Sequence, residues 1–209
     1  MPHPRDPESV DPAEARAPAK AGSGVLVHSD RARALAAGSW LLVAAQDRAQ
    51  AKAAWEKPNG IALLRCGGIF GAIRLSTDLV RAAAGTEDNR AIDGFLAEAL
   101  YGAPVFMDQY AKWYYILVPA STGMRPEWRP PRLPPGVEFL GQDCFVGVPR
   151  ADVVRPAEGV RSYWCVPMEG PGSLGVPDAV AQLVAIGRFQ QAAGREADGS
   201  EGNLPPVAG

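Results

Sequence analysis

Proline is concentrated in a few short segments of this chain, and its placement limits where helices and sheets can form. Five prolines lie within the first 18 residues, and five more lie within residues 124–135. Proline has a fixed φ and no backbone N–H, so neither segment can form a regular helix or a central strand. Residues 1–22 also carry few large apolar side chains, which predicts a disordered tail. The cluster at 124–135 lies between apolar runs and therefore predicts a long internal loop.

The last residues of the chain resemble the first in composition. Residues 192–209 are small, polar and rich in glycine, so a second disordered tail is expected there. Between the tails, residues 23–191 are predicted to form a single domain. The chain has 209 residues and is 47% hydrophobic, which is enough for one sizeable core but too short for two large domains.

Charge and hydropathy exclude several classes of protein. Lysine and arginine number 21 against 23 acidic residues, a net charge of −2, which excludes a protein held to nucleic acid by bulk positive charge. No apolar run approaches the roughly 20 residues that span a bilayer, and no signal-peptide pattern is present. Three cysteines lie far apart without a CxxC motif, which argues against a disulfide framework or a zinc site. The sequence predicts a cytoplasmic protein with no membrane contact.

Helical and strand patterns alternate between the tails. Capping residues and apolar periodicity predict helices at 30–37, after Asp47, around 90–100 and from Pro177 onward. The runs IALLR and IFGAIRL flank Cys66-Gly67-Gly68 and predict two strands joined by a tight turn. Because most strands come late in the chain, the expected fold class is α+β with a mixed or antiparallel sheet flanked by helices. The other predicted strands are SWLLVAA at 39–45, APVFM at 103–107, KWYYILVP at 112–119, VEFL at 137–140, CFVGVP at 144–149 and SYWCVP at 162–167.

Common catalytic motifs are absent from the sequence. It contains no Walker loop, no GxGxxG, no GxSxG and no HExxH. Asp88 and Asp93 lie near the start of a predicted helix, where carboxylates favour the positive end of the helix dipole. Glu138 opens an apolar run directly after the proline-rich loop. It is either a structural residue or a carboxylate that points into a groove.

Aromatic and basic residues occur together in two places. In KWYY, the strand period places Trp113 and Tyr115 on one face and Lys112 on the other. The loop 124–135 places Trp128 among several arginines. Such aromatics can stack on the bases of a single strand while the cations contact phosphates. A buried aromatic face under a proline-rich cover is the commoner arrangement, and the sequence leaves both open.

The order of the segments over residues 30–186 is distinctive. A tryptophan-bearing helix is followed by NGIALL, a glycine turn, IFGAIRL, AKWYYILVP, GVEFLGQDCFVGVP and SYW. This order resembles the N-terminal domain of bifunctional DNA primase/polymerases, which belongs to the archaeo-eukaryotic primase superfamily. The family shows an acidic residue, a glycine, an aromatic, an apolar run and a proline in its last segment. The residues that match this series are Glu138, Gly141, Phe145, Val146 and Pro149, followed by the aromatic pair Tyr163 and Trp164.

The resemblance implies where a two-metal site would lie. In the family, two carboxylates on the strand after the first glycine turn hold the divalent cations for nucleotidyl transfer, and a histidine holds the phosphates of the incoming nucleotide. Here Gly71 and Arg74 stand nearest to the places of those acids. Trp113 takes the place of the histidine, with Lys112 in the adjoining basic position. Glu138 is the only acidic position that is retained, so the resemblance implies no catalytic residue, no metal site and no cofactor.

The first functional hypothesis is therefore a catalytically degenerate primase/polymerase-like protein. It would keep the α+β fold of the family but would not catalyse nucleotidyl transfer. A residual groove near Lys112, Trp113, Glu138 and Arg150 would bind a nucleotide or single-stranded nucleic acid, with no metal ion required.

Two alternatives remain open at the level of sequence. One is a regulatory or protein-interaction module without an enzymatic role, which contacts its partner through the loop 124–135. The other is an active nucleotidyl transferase whose magnesium or manganese ligands come from unexpected positions such as Glu138, Asp143 and Asp78.

Overall fold

The computed structural model describes the chain from Ser29 to Glu201, and its side chains as far as Glu196. The predicted N-terminal tail at 1–22 lies outside the described residues. The described residues form α-helices α1 (Asp30–Leu41), α2 (Arg48–Glu56), α3 (Thr77–Ala84), α4 (Asn89–Ala99) and α5 (Pro177–Glu201). They also form strands β1 (Ile61–Arg65), β2 (Gly71–Ser76), β3 (Val105–Asp108), β4 (Trp113–Val118), β5 (Val137–Leu140), β6 (Phe145–Pro149) and β7 (Ser162–Val166).

Side-chain caps fix the start of four helices. Ser29, Asp47, Ser76 and Asp88 each have an extended backbone and accept a hydrogen bond from the backbone N–H three residues later. These bonds satisfy donors that would otherwise lack an intrahelical partner. The predicted helix starts near residue 30, after Asp47 and near residue 90 are confirmed.

The larger sheet has five strands in the order β5-β2-β4-β3-β7, and every pairing in it is antiparallel. One face packs against α3, α4 and α5, and its core includes Ile73, Leu75 and Ile116. The other face packs against α1, α2 and a two-stranded sheet of β1 and β6, and its core includes Phe106 and Trp164. The predicted α+β class is confirmed, and the sheets are antiparallel rather than mixed.

The predicted turn between β1 and β2 joins two different sheets. Both predicted strands and the short turn between them are present, but β1 pairs with β6, whereas β2 pairs with β4 and β5. Burial explains the separation: β1 alternates between buried and exposed residues, while β2 is buried along nearly its whole length. A strand with one solvent-exposed face lies at the protein surface, and a strand that is buried on both faces lies within a sheet that is covered on both sides. Gly67, with φ of 88°, redirects the chain between them.

The strand predicted at 39–45 is also wrong. Helix α1 continues to Leu41, and a 3-10 turn covers Leu42–Ala44. A short apolar run does not distinguish a buried strand from a buried helix segment. The structure resolves the ambiguity because Ala37 and Leu41, four residues apart, are the buried residues of α1 and form one helical face.

Helix α5 continues beyond Ala192 into the segment predicted to be a C-terminal tail. It runs to Glu201, and residues 202–209 lie outside the described residues. The helix packs against α3 at Gly187, where an added Cβ would lie 2.5 Å from the backbone oxygen of Leu79. The absence of a side chain at Gly187 therefore allows the two helices to approach closely.

A helix that crosses a bilayer must be both long and apolar. Between Ser29 and Glu201, no helix is long enough and apolar enough to cross a membrane.

Candidate functional site

A row of side chains crosses the larger sheet on the face that α1, α2 and the smaller sheet cover. The strand registers place Glu138 opposite Arg74, Arg74 opposite Tyr115, Tyr115 opposite Phe106, and Phe106 opposite Trp164. The aromatic part of the row is buried, and the rings of Phe106 and Tyr115 stack with centroids 4.8 Å apart. The row therefore has an apolar end inside the protein and a charged end on the edge strand β5.

Arg74 and Glu138 form the charged end of the row. The Nε and Nη2 groups of Arg74 donate to the same oxygen, Oε2 of Glu138, at 3.0 and 2.5 Å. The two side chains are 30% and 48% exposed. Partial burial acts to lower the pKa of Arg74, but the bonds to Glu138 and to the Tyr115 hydroxyl outweigh it, so the pKa is raised. The guanidinium is a permanent cation held by one carboxylate.

Trp113 completes the charged end. The guanidinium carbon of Arg74 lies 4.7 Å from the centre of the Trp113 ring, a cation–π contact. Trp113 is half-buried at the start of β4 and packs against the edge of the core on this face. We call Arg74, Trp113 and Glu138 the Arg74 cluster.

The structure places the four predicted groove residues in two regions. Trp113 and Glu138 meet through Arg74, and the exposed Lys112 directly precedes Trp113 in a turn with φ of 61°. Arg150 instead directly follows strand β6 and lines a cavity beside α1 and α2 that none of the other three residues lines. Of the four, Trp113, Glu138 and Lys112 lie around the Arg74 cluster, and Arg150 belongs to the second region.

The two places at which the resemblance implies metal-binding acids lie on opposite faces of β2. Gly71 and Ile73 lie on the face that α3, α4 and α5 cover. Arg74 and Ala72 lie on the face that α1, α2 and the smaller sheet cover. Carboxylates at 71 and 74 would therefore not converge on one cation pair. Ala72, the neighbour of Arg74 on the same face of β2, is fully buried in the core, so its position has no room for a solvent-accessible carboxylate.

The ring of Phe139 fills the space beside Gly71. A Cβ added at Gly71 would lie 3.0 Å from the ring, and one added at Gly123 or Gly141 would lie 2.6 Å from it. Three glycines from separate segments thus form a slot for one aromatic ring. A side chain at any of them would require the ring or the backbone to move.

The acids proposed for an active transferase do not converge. Asp143 pairs with Arg65 at 2.8 Å, Glu138 pairs with Arg74, and Asp78 lies in the first turn of α3. Among the side chains described from Ser29 to Glu196, no three of the histidine, cysteine, aspartate and glutamate residues lie close enough to hold a metal ion. The described part of the chain therefore offers no preformed two-metal site.

The proline-rich loop is fixed to the domain at several points. Trp128 is only 3% exposed, so its ring is packed and not available for stacking on a ligand. Arg125 donates to both carboxylate oxygens of Asp178 in α5, at 2.9 and 3.3 Å, and Arg129 donates to the backbone oxygen of Gly123. The buried aromatic arrangement is the one observed at Trp128.

Asp93 has a different role from the predicted cap. Helix α4 begins at Asn89 and its cap is Asp88, so Asp93 lies beyond the first turn. Its carboxylate accepts a 3.4 Å bond from the Tyr163 hydroxyl. Burial raises the pKa of Asp93. The hydrogen bonds from Cys165 and Tyr163 act in the opposite direction but are weaker than the effect of burial, so the pKa is raised. The expectation of a second capping carboxylate is wrong.

The sequence did not predict that Arg74 contacts both Glu138 and Trp113, nor that three glycines form a slot for the Phe139 ring. The period of two along β2 was the available signal, because it places Arg74 and Ala72, not Arg74 and Gly71, on a common face. The slot had no local signal, since its three glycines come together only through the sheet and the loop.

Comparisons with known proteins give no assignment. No family model matches this chain, and no curated protein and no solved structure matches it significantly.

Proposed function

We propose that this chain is a primase/polymerase-like protein that lacks nucleotidyl transfer and binds single-stranded nucleic acid or a nucleotide at the Arg74 cluster. One observation carries the proposal. The Arg74 guanidinium, stacked on Trp113 and held by Glu138, occupies a strand position where the resemblance implies a metal-binding acid.

The chemistry argues against nucleotidyl transfer. Two divalent cations need several oxygen donors that converge on them, because the cations carry the charge that develops on the phosphates. Glu138 is the one carboxylate of the Arg74 cluster, and it is already paired with a cation. An arginine beside it repels a divalent ion.

The same residues favour binding. An exposed base can stack on an arginine–indole pair, and such stacking contributes about 1–3 kcal/mol per base in known cases. The exposed Lys112 adjoins Trp113 and offers a cation to a neighbouring phosphate. The net charge of −2 gives no general attraction to nucleic acid, so binding should depend on this local site and weaken with salt.

Fluorescence anisotropy with a labelled single-stranded oligonucleotide at low and at physiological salt tests the proposal. We expect Trp113→Ala to weaken binding by about tenfold, as loss of one stacked base predicts. The matched control is Tyr101→Ala, which removes an aromatic side chain that is 82% exposed in the turn that follows α4. Absence of binding at low salt, or equal affinities for the two variants, would contradict the proposal.

A protein-interaction role is the second candidate. Met124 is 74% exposed at the start of the loop, beside the anchored Arg125, and thus offers an apolar side chain on a fixed support. A crosslinking experiment that captures one defined partner in the wild type and not in Met124→Asp would favour this function over nucleic-acid binding.

For the cellular location, we propose the cytoplasm. The three cysteines are free thiols, which suits a reducing compartment. Fractionation of cells that express the full chain tests this location.

A further inference from the structure

A second site lies away from the Arg74 cluster. A cavity of about 1030 Å³ opens between α1, α2 and the segments 150–154 and 167–168. Its volume lies just above the range of about 300–1,000 Å³ that small-molecule sites occupy. None of the residues of the Arg74 cluster lines it.

The wall of the cavity is mainly apolar. Leu35, Leu42, Val154 and Met168 line it, and Leu35 is 64% exposed. The polar atom of Trp55, its Nε1, already donates to the backbone oxygen of Val148 at 2.8 Å. Within the described part of the chain, the buried side-chain atoms that lack a hydrogen-bond partner belong to residues elsewhere. The wall therefore suits an apolar ligand body and offers little to the polar edge of a nucleobase.

The charges around the cavity are unequal. Of the described residues that line it, four are basic and three are acidic. Asp30 pairs with Arg33, and Asp152 pairs with Arg150. The remaining charged lining residues are two exposed cations and one exposed acid, namely Arg31, Lys52 and Glu56. The excess of positive charge favours an anionic group on the ligand.

We propose that this cavity binds an acyl carboxylate, a ligand with an apolar chain and a single anionic head group. The chain lies against Trp55, Leu42 and Met168, and the carboxylate is directed towards Arg31 and Lys52. The apolar wall stabilises the chain by removing it from water, and the two cations select the ionised head group. The site is independent of nucleic-acid binding at the Arg74 cluster.

Isothermal titration of the full chain with laurate tests the cavity. Gly38 lines the cavity, and a Cβ at this position lies 3.8 Å from the Trp55 ring, so Gly38→Leu directs a side chain into the space without a backbone clash. Gly94→Leu in α4 is the matched control, because no atom lies within 4 Å of its added Cβ. Both changes replace a helical glycine with a better helix former, so the fold should be kept.

We expect laurate to bind the wild type and Gly94→Leu equally, and to bind Gly38→Leu at least about tenfold more weakly, because the added side chain competes for the volume of the ligand. Failure of laurate to bind the wild type, or unchanged binding to Gly38→Leu, would overturn the proposal.

Dodecanol, the neutral analogue of laurate, tests the head group. We expect the double variant Arg31→Glu/Lys52→Glu to lower the affinity for laurate by about tenfold and to leave the affinity for dodecanol unchanged. Equal losses for the two ligands, or no loss for laurate, would show that the cations do not recognise the carboxylate and would overturn that part of the proposal.

Discussion

Arg74 and Glu138 face each other across adjacent antiparallel strands, and both guanidinium bonds end on the same carboxylate oxygen. Glu138, the acid to which the proposed resemblance points, is therefore bound to a cation supplied by its own sheet. The pair forms part of a charged surface, and the Trp113 ring contacts the Arg74 guanidinium.

The first prediction follows from this pairing. Glu138→Gln removes a negative charge beside the Arg74 guanidinium and leaves the cation available to a phosphate, so the affinity for single-stranded DNA should rise by several-fold. Since the pair is partly exposed, the change should lower the free energy of unfolding by only about 0–1 kcal/mol. Anisotropy and chemical denaturation measure the two quantities.

Glu98→Gln provides the control for net charge, because Glu98 is an exposed acid on α4. It should leave the affinity nearly unchanged. A loss of affinity in Glu138→Gln would mean that the carboxylate itself contacts the ligand, against this account.

The second prediction concerns the Phe139 slot. Gly141→Ala places a Cβ 2.6 Å from the ring of Phe139 and should lower the free energy of unfolding by about 1–3 kcal/mol through overpacking. Gly68→Ala is the matched control, since open space surrounds its added Cβ. Denaturation of both variants gives the comparison. A smaller loss for Gly141→Ala in a Phe139→Leu background would support steric conflict with the ring, and an unchanged loss would argue against it.

Local signals in the sequence were sufficient for much of the fold. The caps Ser29, Asp47 and Asp88 act through hydrogen bonds that span only three residues, so sequence reasoning found the helices that they start. The strands β4 and β7 were likewise evident as apolar runs bounded by turn residues.

The pairing of strands and the details of the site depended on distant contacts. β1 pairs with β6, far along the chain, although a glycine turn joins it to β2. The Arg74–Glu138 pair likewise joins residues 64 positions apart and follows from the register of β2 with β5. The family resemblance grouped Trp113 with Glu138. That Arg74 lies between them follows only from the register of β2 with its neighbours β4 and β5. Arg150 was grouped with them because no local signal shows which sheet β6 joins.

The third prediction uses the raised pKa of Asp93. Burial makes the ionised carboxylate less favourable in the folded protein than in the unfolded chain, where its pKa is near 3.8. The folded state therefore holds the proton more tightly, and stability falls as the pH rises from the unfolded pKa through the raised folded pKa.

Asp93→Asn removes this titration and keeps an oxygen that can accept from the Tyr163 hydroxyl. The Tm of the variant minus that of the wild type should increase between pH 4 and pH 7. Gly94→Ala, an exposed change on the same helix that alters no ionisable group, should show no such trend. A difference in Tm that stays constant or decreases over this range would argue against a buried, destabilising carboxylate.

The fourth prediction concerns the proline-rich loop. Trp128 is 3% exposed, so Trp128→Ala should lower the free energy of unfolding by about 3–5 kcal/mol. Met124→Ala, in the same loop but 74% exposed, should have little effect. Thermal and chemical unfolding compare the two. Similar small losses would indicate that the loop does not pack on the domain.

The most direct test of the central claim is a templated primer-synthesis assay with the full chain, single-stranded DNA and nucleoside triphosphates, in magnesium and in manganese. Because the side chains described from Ser29 to Glu196 form no cluster of carboxylates around Glu138 that could hold two cations, we predict no incorporation under conditions in which anisotropy detects binding of the same DNA. Incorporation by the wild type that disappears in Glu138→Ala would contradict the account.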